Sequence, residues 1–197
     1  MQKSRIRIWE LALLLAVCVA LCEASLDAAR TQEMSEKIIR FHVIAESDEP
    51  EAQARKLEVR DAVLPLLTEL LERAQHPGEA AELIEENRDV ILAAAENAAG
   101  NRRVELVFGR ESYGYRQTEN CALPAGEYNS LRLIIGEGGG HNWWGVIFPQ
   151  LDASTRYSEA VKILGDDGLS LLFEEEGTQL RFRFLEMLEQ LRLWLKG

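Results

Sequence analysis

Apolar residues recur along this chain with three rhythms, and each predicts a different element. Residues 11–22 are apolar without interruption and follow Lys3, Arg5 and Arg7. As a helix this run rises only about 18 Å against a ~30 Å hydrocarbon core, so the pattern predicts a secretory signal over residues 1–24, with an uncleaved N-terminal anchor as the alternative. Cys22 and Ala24 supply small residues for cleavage after Ala24, while Leu21 is too bulky to precede a lipidated cysteine. Residues 25–36 (SLDAARTQEMSE) are polar and weakly patterned, and predict a tether.

The second rhythm is period two. Residues 37–45 (KIIRFHVIA) put Ile39, Phe41 and Val43 on one strand face and Arg40 and His42 on the other. Val104, Leu106 and Phe108 alternate likewise, residues 113–118 predict a short third strand, and Pro124, Ala125 and Gly126 a turn. Two further apolar runs, 128–136 and 142–148, are joined by Glu137, Gly138, Gly139, Gly140 and His141, which predicts a hairpin or a pair of neighbouring strands, stopped by Pro149.

The third rhythm is helical. Asp48, Pro50 and Glu51 predict a capped helix start, and Val59, Val63, Leu66 and Leu70 lay one apolar stripe, which Pro65 should kink or split near Val63. Residues 78–99 predict a second helix ended by Gly100 in a left-handed conformation. Beyond Leu151 the pattern is helical again, with Phe184, Leu188, Leu191 and Leu195 on one stripe and Trp194 beside it. The fold class is therefore α+β: a small sheet of about four strands packed with several helices over residues 37–151, and a mainly helical extension of the same domain over 152–197.

Charge changes the picture of what such a domain can bind. The 197 residues carry a formal net charge of -11. Setting aside the N-terminal segment, with Lys3, Arg5 and Arg7 against Glu10 and Glu23, leaves the remainder one unit more acidic. Such a surface repels phosphate backbones and anionic lipid, which excludes nonspecific nucleic-acid binding and leaves membrane contact to an uncleaved N-terminal segment. Of three cysteines, only Cys121 lies beyond the signal, so a cleaved chain forms no internal disulfide.

Candidate chemistry is sparse. His42, His76 and His141 stand at no metal-ligand spacing, no nucleophile motif is present, and carboxylates are too abundant for any pair to mean much. No cofactor, metal or catalytic residue is expected. Gly136, Gly138, Gly139 and Gly140 lack a P-loop lysine and sit beside Glu137, so a flexible connection accounts for them better than a phosphate cradle. Trp143 and Trp144 are adjacent on a strand and must face opposite ways; one meets the core, and the other a second layer or a protein partner. A hydrolase site near His42, Glu127, Arg132 and His141 is the competing reading, and it requires those side chains to converge.

Three segments carry a family resemblance: residues 40–64 (RFHVIAESDEPEAQARKLEVRDAVL), 123–138 (LPAGEYNSLRLIIGEG) and 142–151 (NWWGVIFPQL). Together they resemble the stage II sporulation protein R family. The resemblance implies a signalling protein of endospore formers, made in the forespore and exported into the space between the forespore and mother-cell membranes. There it would activate a membrane-embedded aspartic protease, the sigma-E-factor-processing peptidase, without being an enzyme itself. Surfaces expected to meet that partner are the strand face with Arg40 and His42, and Asn142, Trp143 and Trp144 with the glycine loop. Many relatives have cysteines where this chain has Gly145 and Asp152, so here that end of the sheet must be held by packing alone.

Overall fold

A computed structural model of the chain describes residues 8–100, 102–117, 122–150 and 163–164. Its first element, α1 (Ile8–Glu36), is one unbroken helix, so residues 25–36 are helical rather than a tether. The reason is compositional: no Gly or Pro occurs from residue 8 to 49, and Ala, Leu, Arg, Gln, Glu and Met hold helix well. Ion pairs one turn apart, Asp27 with Arg30 and Glu33 with Lys37, support it along its exposed side.

Strand β1 (Ile39–Ile44) follows almost at once and becomes the interior of the sheet, buried over five of its six residues. Helix α2 (Pro50–Leu71) runs through Pro65 without a break. Val59, Val63, Leu67 and Leu71 are buried along one side both before and after the proline, and that shared packing outweighs one lost backbone hydrogen bond. Asp48 does not cap α2, its carboxylate being taken by His141; Glu49 occupies that position and makes no side-chain cap bond.

The single helix expected over residues 78–99 is two, α3 (Pro77–Glu86) and α4 (Arg88–Ala99). Asn87 breaks it by turning its own side-chain amide onto the Leu83 carbonyl at 2.9 Å, competing with the backbone ladder. α3 starts on His76, whose Nδ1 accepts from the Glu79 N–H at 3.1 Å, and α4 ends at Gly100 with φ +70°, the positive value a glycine terminator was expected to supply.

β2 (Val104–Tyr113) takes in Tyr113, so the short strand expected from that residue is instead β3 (Arg116–Gln117), paired with β4 (Ala122–Leu123). After the turn at Pro124 come β5 (Gly126–Ile135) and β6 (Asn142–Phe148), and Pro149, with no N–H to donate, directly follows the last. The order in the main sheet is β2-β5-β1-β6, with β1 parallel to β5 and antiparallel to β6. β5 and β6 are therefore not a hairpin: β1 lies between them, and their loop crosses over its end. Two strand spacings are about 10 Å, a gap the six connecting residues bridge as easily as they would close a hairpin.

One sheet face and helices α2, α3 and α4 make the main core, with Phe41, Val43, Leu131, Leu133, Leu106 and Ile147 packed on Val63, Leu67, Ile84, Ile91 and Ala95. A smaller cluster joins Met34, Ile38, Leu123, Tyr128 and Leu164, partly covered by Tyr113, Trp144 and Val146. The domain is thus α+β, as the pattern of the chain implied. Cys121 and the stripe from Phe184 to Leu195 lie outside the described residues.

Candidate functional site

The second face of the sheet is set by the alternation of β1. With Phe41 and Val43 turned to the helices, Arg40 and His42 must point the other way. The family resemblance made this face a surface for meeting a partner; instead both side chains are buried, 1% exposed each. Registers bring Ser130 and Arg132 beside them on β5, and Val146 and Trp144 on β6. Among the described residues, what covers the pair is aromatic. The Arg40 guanidinium lies 4.0 Å from the Tyr113 ring centre, 4.8 Å from Trp144 and 5.2 Å from Tyr128, an arrangement in which ring faces replace water around the cation.

His42 stacks flat on Tyr113, 4.9 Å between centres and 4° between planes. Its Nδ1 meets the Asn142 side-chain amide at 2.7 Å, and Nε2 is buried with no hydrogen-bond partner among the described residues. Burial first, and then the charges of Arg40 and Arg132, push its pKa down to about 4, partly opposed by the Asn142 bond. The imidazole is therefore neutral at pH 7. Tyr113 hydroxyl joins Ser130 and Glu111, both at 2.7 Å, and burial raises its pKa to about 12. Arg132 reaches Glu111 at 2.6 Å. Tyr128 donates to the Pro124 carbonyl at 2.7 Å, and burial raises it further still.

Trp144 belongs to this polar face and Trp143 to the other, packed edge-on against Phe41 at 5.9 Å with Arg60 over its ring at 5.3 Å. Both partners of the pair thus have a layer of the same molecule to meet, although each remains partly exposed. Gly145 lies opposite Phe41 on β6, and a Cβ there would come within 2.9 Å of the Trp143 ring. The ring fills the space a side chain at residue 145 would need.

At the end of β1 the crossing loop locks onto the turn into α2. Gly139 and Gly140 N–H groups donate to the Glu46 and Ala45 carbonyls at 3.1 and 2.9 Å. Asp48 accepts from the His141 N–H at 2.7 Å and also holds its ring Nδ1, contacts that keep the carboxyl below its ordinary pKa. Lys56 Nζ donates to the His141 carbonyl at 3.1 Å and to Gln53 at 2.5 Å. The glycines are needed for this lock: Gly138 has φ +66°, and a side chain on Gly140 would fall inside the Ser47 backbone. The run is a packed crossing rather than a flexible connection.

Of the residues singled out from the sequence, the structure brings Arg40, His42, Asn142 and Trp144 together and sets Trp143 apart on the other face. Asn142 bridges the buried and exposed parts, lying at the surface while bonded to His42. The four groups of a hydrolase site do not converge. His42 and Arg132 are register partners, but Glu127 sits five residues back along β5, about 16 Å away, in an exposed ion pair with Arg110. His141 is exposed in the loop at the opposite end, committed to Asp48. Among the described residues no cluster of three or more His, Cys, Asp or Glu could hold a metal ion. Tyr113, Glu111 and Ser130 were missed by sequence reasoning, since Tyr113 stands opposite Gly126 in the β2–β5 register and only its long side chain, laid back along the sheet, reaches Ser130 and His42.

The model of the family described as stage II sporulation protein R (spore_II_R) matches residues 35–156, which take in the whole sheet, α2 to α4 and the crossing loop. The stage II sporulation protein R of Bacillus subtilis (strain 168) is 32% identical over 120 residues, covering 59% of this chain and 54% of that protein. The aligned stretch thus spans about half the length of that relative. No solved structure matches.

Proposed function

Since the chain belongs to the stage II sporulation protein R family and its role is accordingly in sporulation, we propose that it acts as an exported signal from the forespore, switching on the membrane-embedded aspartic protease that processes pro-sigma-E in the mother cell. It acts in this reading as an activator, working through tighter affinity for the competent state of the protease than for the idle one. Family membership is the observation that carries the reading. The apolar N-terminal helix behind Lys3, Arg5 and Arg7 supports export, as a signal or an anchor.

The contact surface we favour is the exposed crossing loop, with Asp48, Glu137, Gly139, His141 and Asn142 at the surface. Arg40, His42 and Trp144 are set back from it and act as support through the Asn142 bond to His42. The test is co-expression of the chain and the protease with a pro-sigma-E processing reporter. Asp48→Ala combined with His141→Ala loosens an exposed lock without touching the core, and should lower processing at least several-fold while the unfolding midpoint stays close to the parent. Full processing by that folded variant, together with full processing by Trp144→Ala, would remove the loop as the contact surface. No processing by the unaltered chain would remove the activator role itself.

A further inference from the structure

We propose that α1 is retained as a membrane-spanning anchor whose lower half is a rigid stalk, holding the folded domain close to the bilayer. The first observation is the surface of the helix. Ile8, Trp9, Leu13, Leu14, Leu15 and Leu21 are all more than half exposed, and at 100° per residue these positions encircle the helix. A surface apolar all round fits a spanning helix and not one lying in the membrane plane, which needs a polar face. Residues 8–24 rise about 26 Å, within reach of a hydrocarbon core allowing slight thinning. Their only charged residues, Glu10 and Glu23, fall near the two ends, and Lys3, Arg5 and Arg7 precede them. Basic residues on that side keep it in the cytoplasm and send the domain across. The occupant this surface fits is a lipid bilayer.

The second observation is that the helix does not end where a signal would be cut. Its hydrogen-bond ladder passes through Ala24, and Ser25 Oγ donates to the Leu21 carbonyl at 2.7 Å within the turn that contains the Ala24–Ser25 bond. Proteases commonly take the chain extended, so cleavage there requires this turn to unwind. Below it the helix is supported by Asp27 with Arg30, Gln32 with Glu36 and Glu33 with Lys37.

The third observation is the far end. Met34 and Ser35 are 2% and 0% exposed, and Glu36 pairs with Arg110 of β2 at 3.8 Å. The stalk is therefore clamped to the sheet, and the ten helical steps from Ala24 to Met34 span about 15 Å with no slack. A domain so held meets partners within a thin layer above its own membrane, which raises their effective concentration over that of a freely diffusing protein.

Two measurements on the full chain, expressed in a bacterium and then reconstituted in vesicles of phosphatidylethanolamine and phosphatidylglycerol, test this. The intact mass and the carbonate-washed membrane pellet report retention. The expected result is a chain that includes residues 8–24 in the pellet, with Ala24→Leu, which removes the small residue at the cleavage position, giving the same size and partition. A chain beginning at Ser25 in the soluble fraction would overturn the anchor and leave the activator role standing, since the processing reporter measures that separately. Amide exchange reports the stalk: residues 25–33 should exchange about 100-fold or more slower than an unfolded chain, and Ala28→Pro should abolish that protection without releasing the protein from the vesicles. Unprotected residues 25–33 in the parent would overturn the rigid stalk.

Discussion

His42 ties the stability of the domain to pH. Its folded pKa of about 4 lies below the ordinary 6.5, so as pH falls through 6.5 the unfolded chain takes up a proton that the folded one refuses. Stability should therefore decline from pH 6.5 towards 4 and level off below, by on the order of 3 kcal/mol at most from this residue. Urea unfolding at pH 7, 5.5 and 4.5 checks it: His42→Gln, which cannot titrate, should flatten that decline, and parallel curves for parent and variant would show that burial of His42 is not the cause. Gly145 makes a second prediction at this scale. The Trp143 ring occupies the site of its missing side chain, so Gly145→Ala should displace the indole from Phe41 and cost about 1–3 kcal/mol. A cysteine at the same position, as the family resemblance would place there, meets the same obstacle. An unchanged tryptophan fluorescence maximum and midpoint in either variant would contradict this account of how the strand is held without a crosslink.

Elements are where the sequence could be read and where it misled. The alternation in β1 and β2, the start of α2 near Pro50 and the positive φ at Gly100 were legible because each depends on neighbours one to four residues apart. The place of β6 was not. A six-residue glycine-rich connection satisfies a hairpin and a crossing over one strand equally, and only the insertion of β1, a hundred residues earlier, decides between them. The burial of Arg40 and His42 was hidden for the same reason: what covers them, Tyr113, Tyr128 and Trp144, arrives from three later strands. Pro65 and residues 25–36 show the opposite error, local rules overridden in one case by a continuous buried stripe and too weakly weighed in the other. The crossing yields its own prediction. Gly140→Ala forces a Cβ into the Ser47 backbone and should cost at least about 1–3 kcal/mol, whereas Asp48→Asn should leave the fold intact and speed exchange of the His141 amide. Slow exchange at His141 in that variant would mean that the backbone contacts of Gly139 and Gly140 hold the loop without the carboxylate.

At the scale of the whole molecule, the sheet is sandwiched unequally. Among the described residues, α2, α3 and α4 cover one face with an apolar core, while the other is lined by a polar and aromatic layer whose edge is sealed by the end of α1. Met34, Ile38, Tyr128, Leu123 and Leu164 meet there, next to the ring of Tyr128 that lies under Arg40. The helix that begins as an apolar N-terminal segment thus ends as part of the fold, and the two halves should respond differently to the same kind of change. Met34 is 2% exposed and Leu26 62%. Met34→Ala empties a packed site and should cost about 2–5 kcal/mol in urea unfolding of the domain, with the change felt at Tyr113 and Trp144. Leu26→Ala, on the free length of the stalk, should leave the unfolding midpoint in place. Equal midpoints for the two variants would mean that α1 is carried by the domain without being packed into it, and that the second face is closed by its own aromatic residues alone.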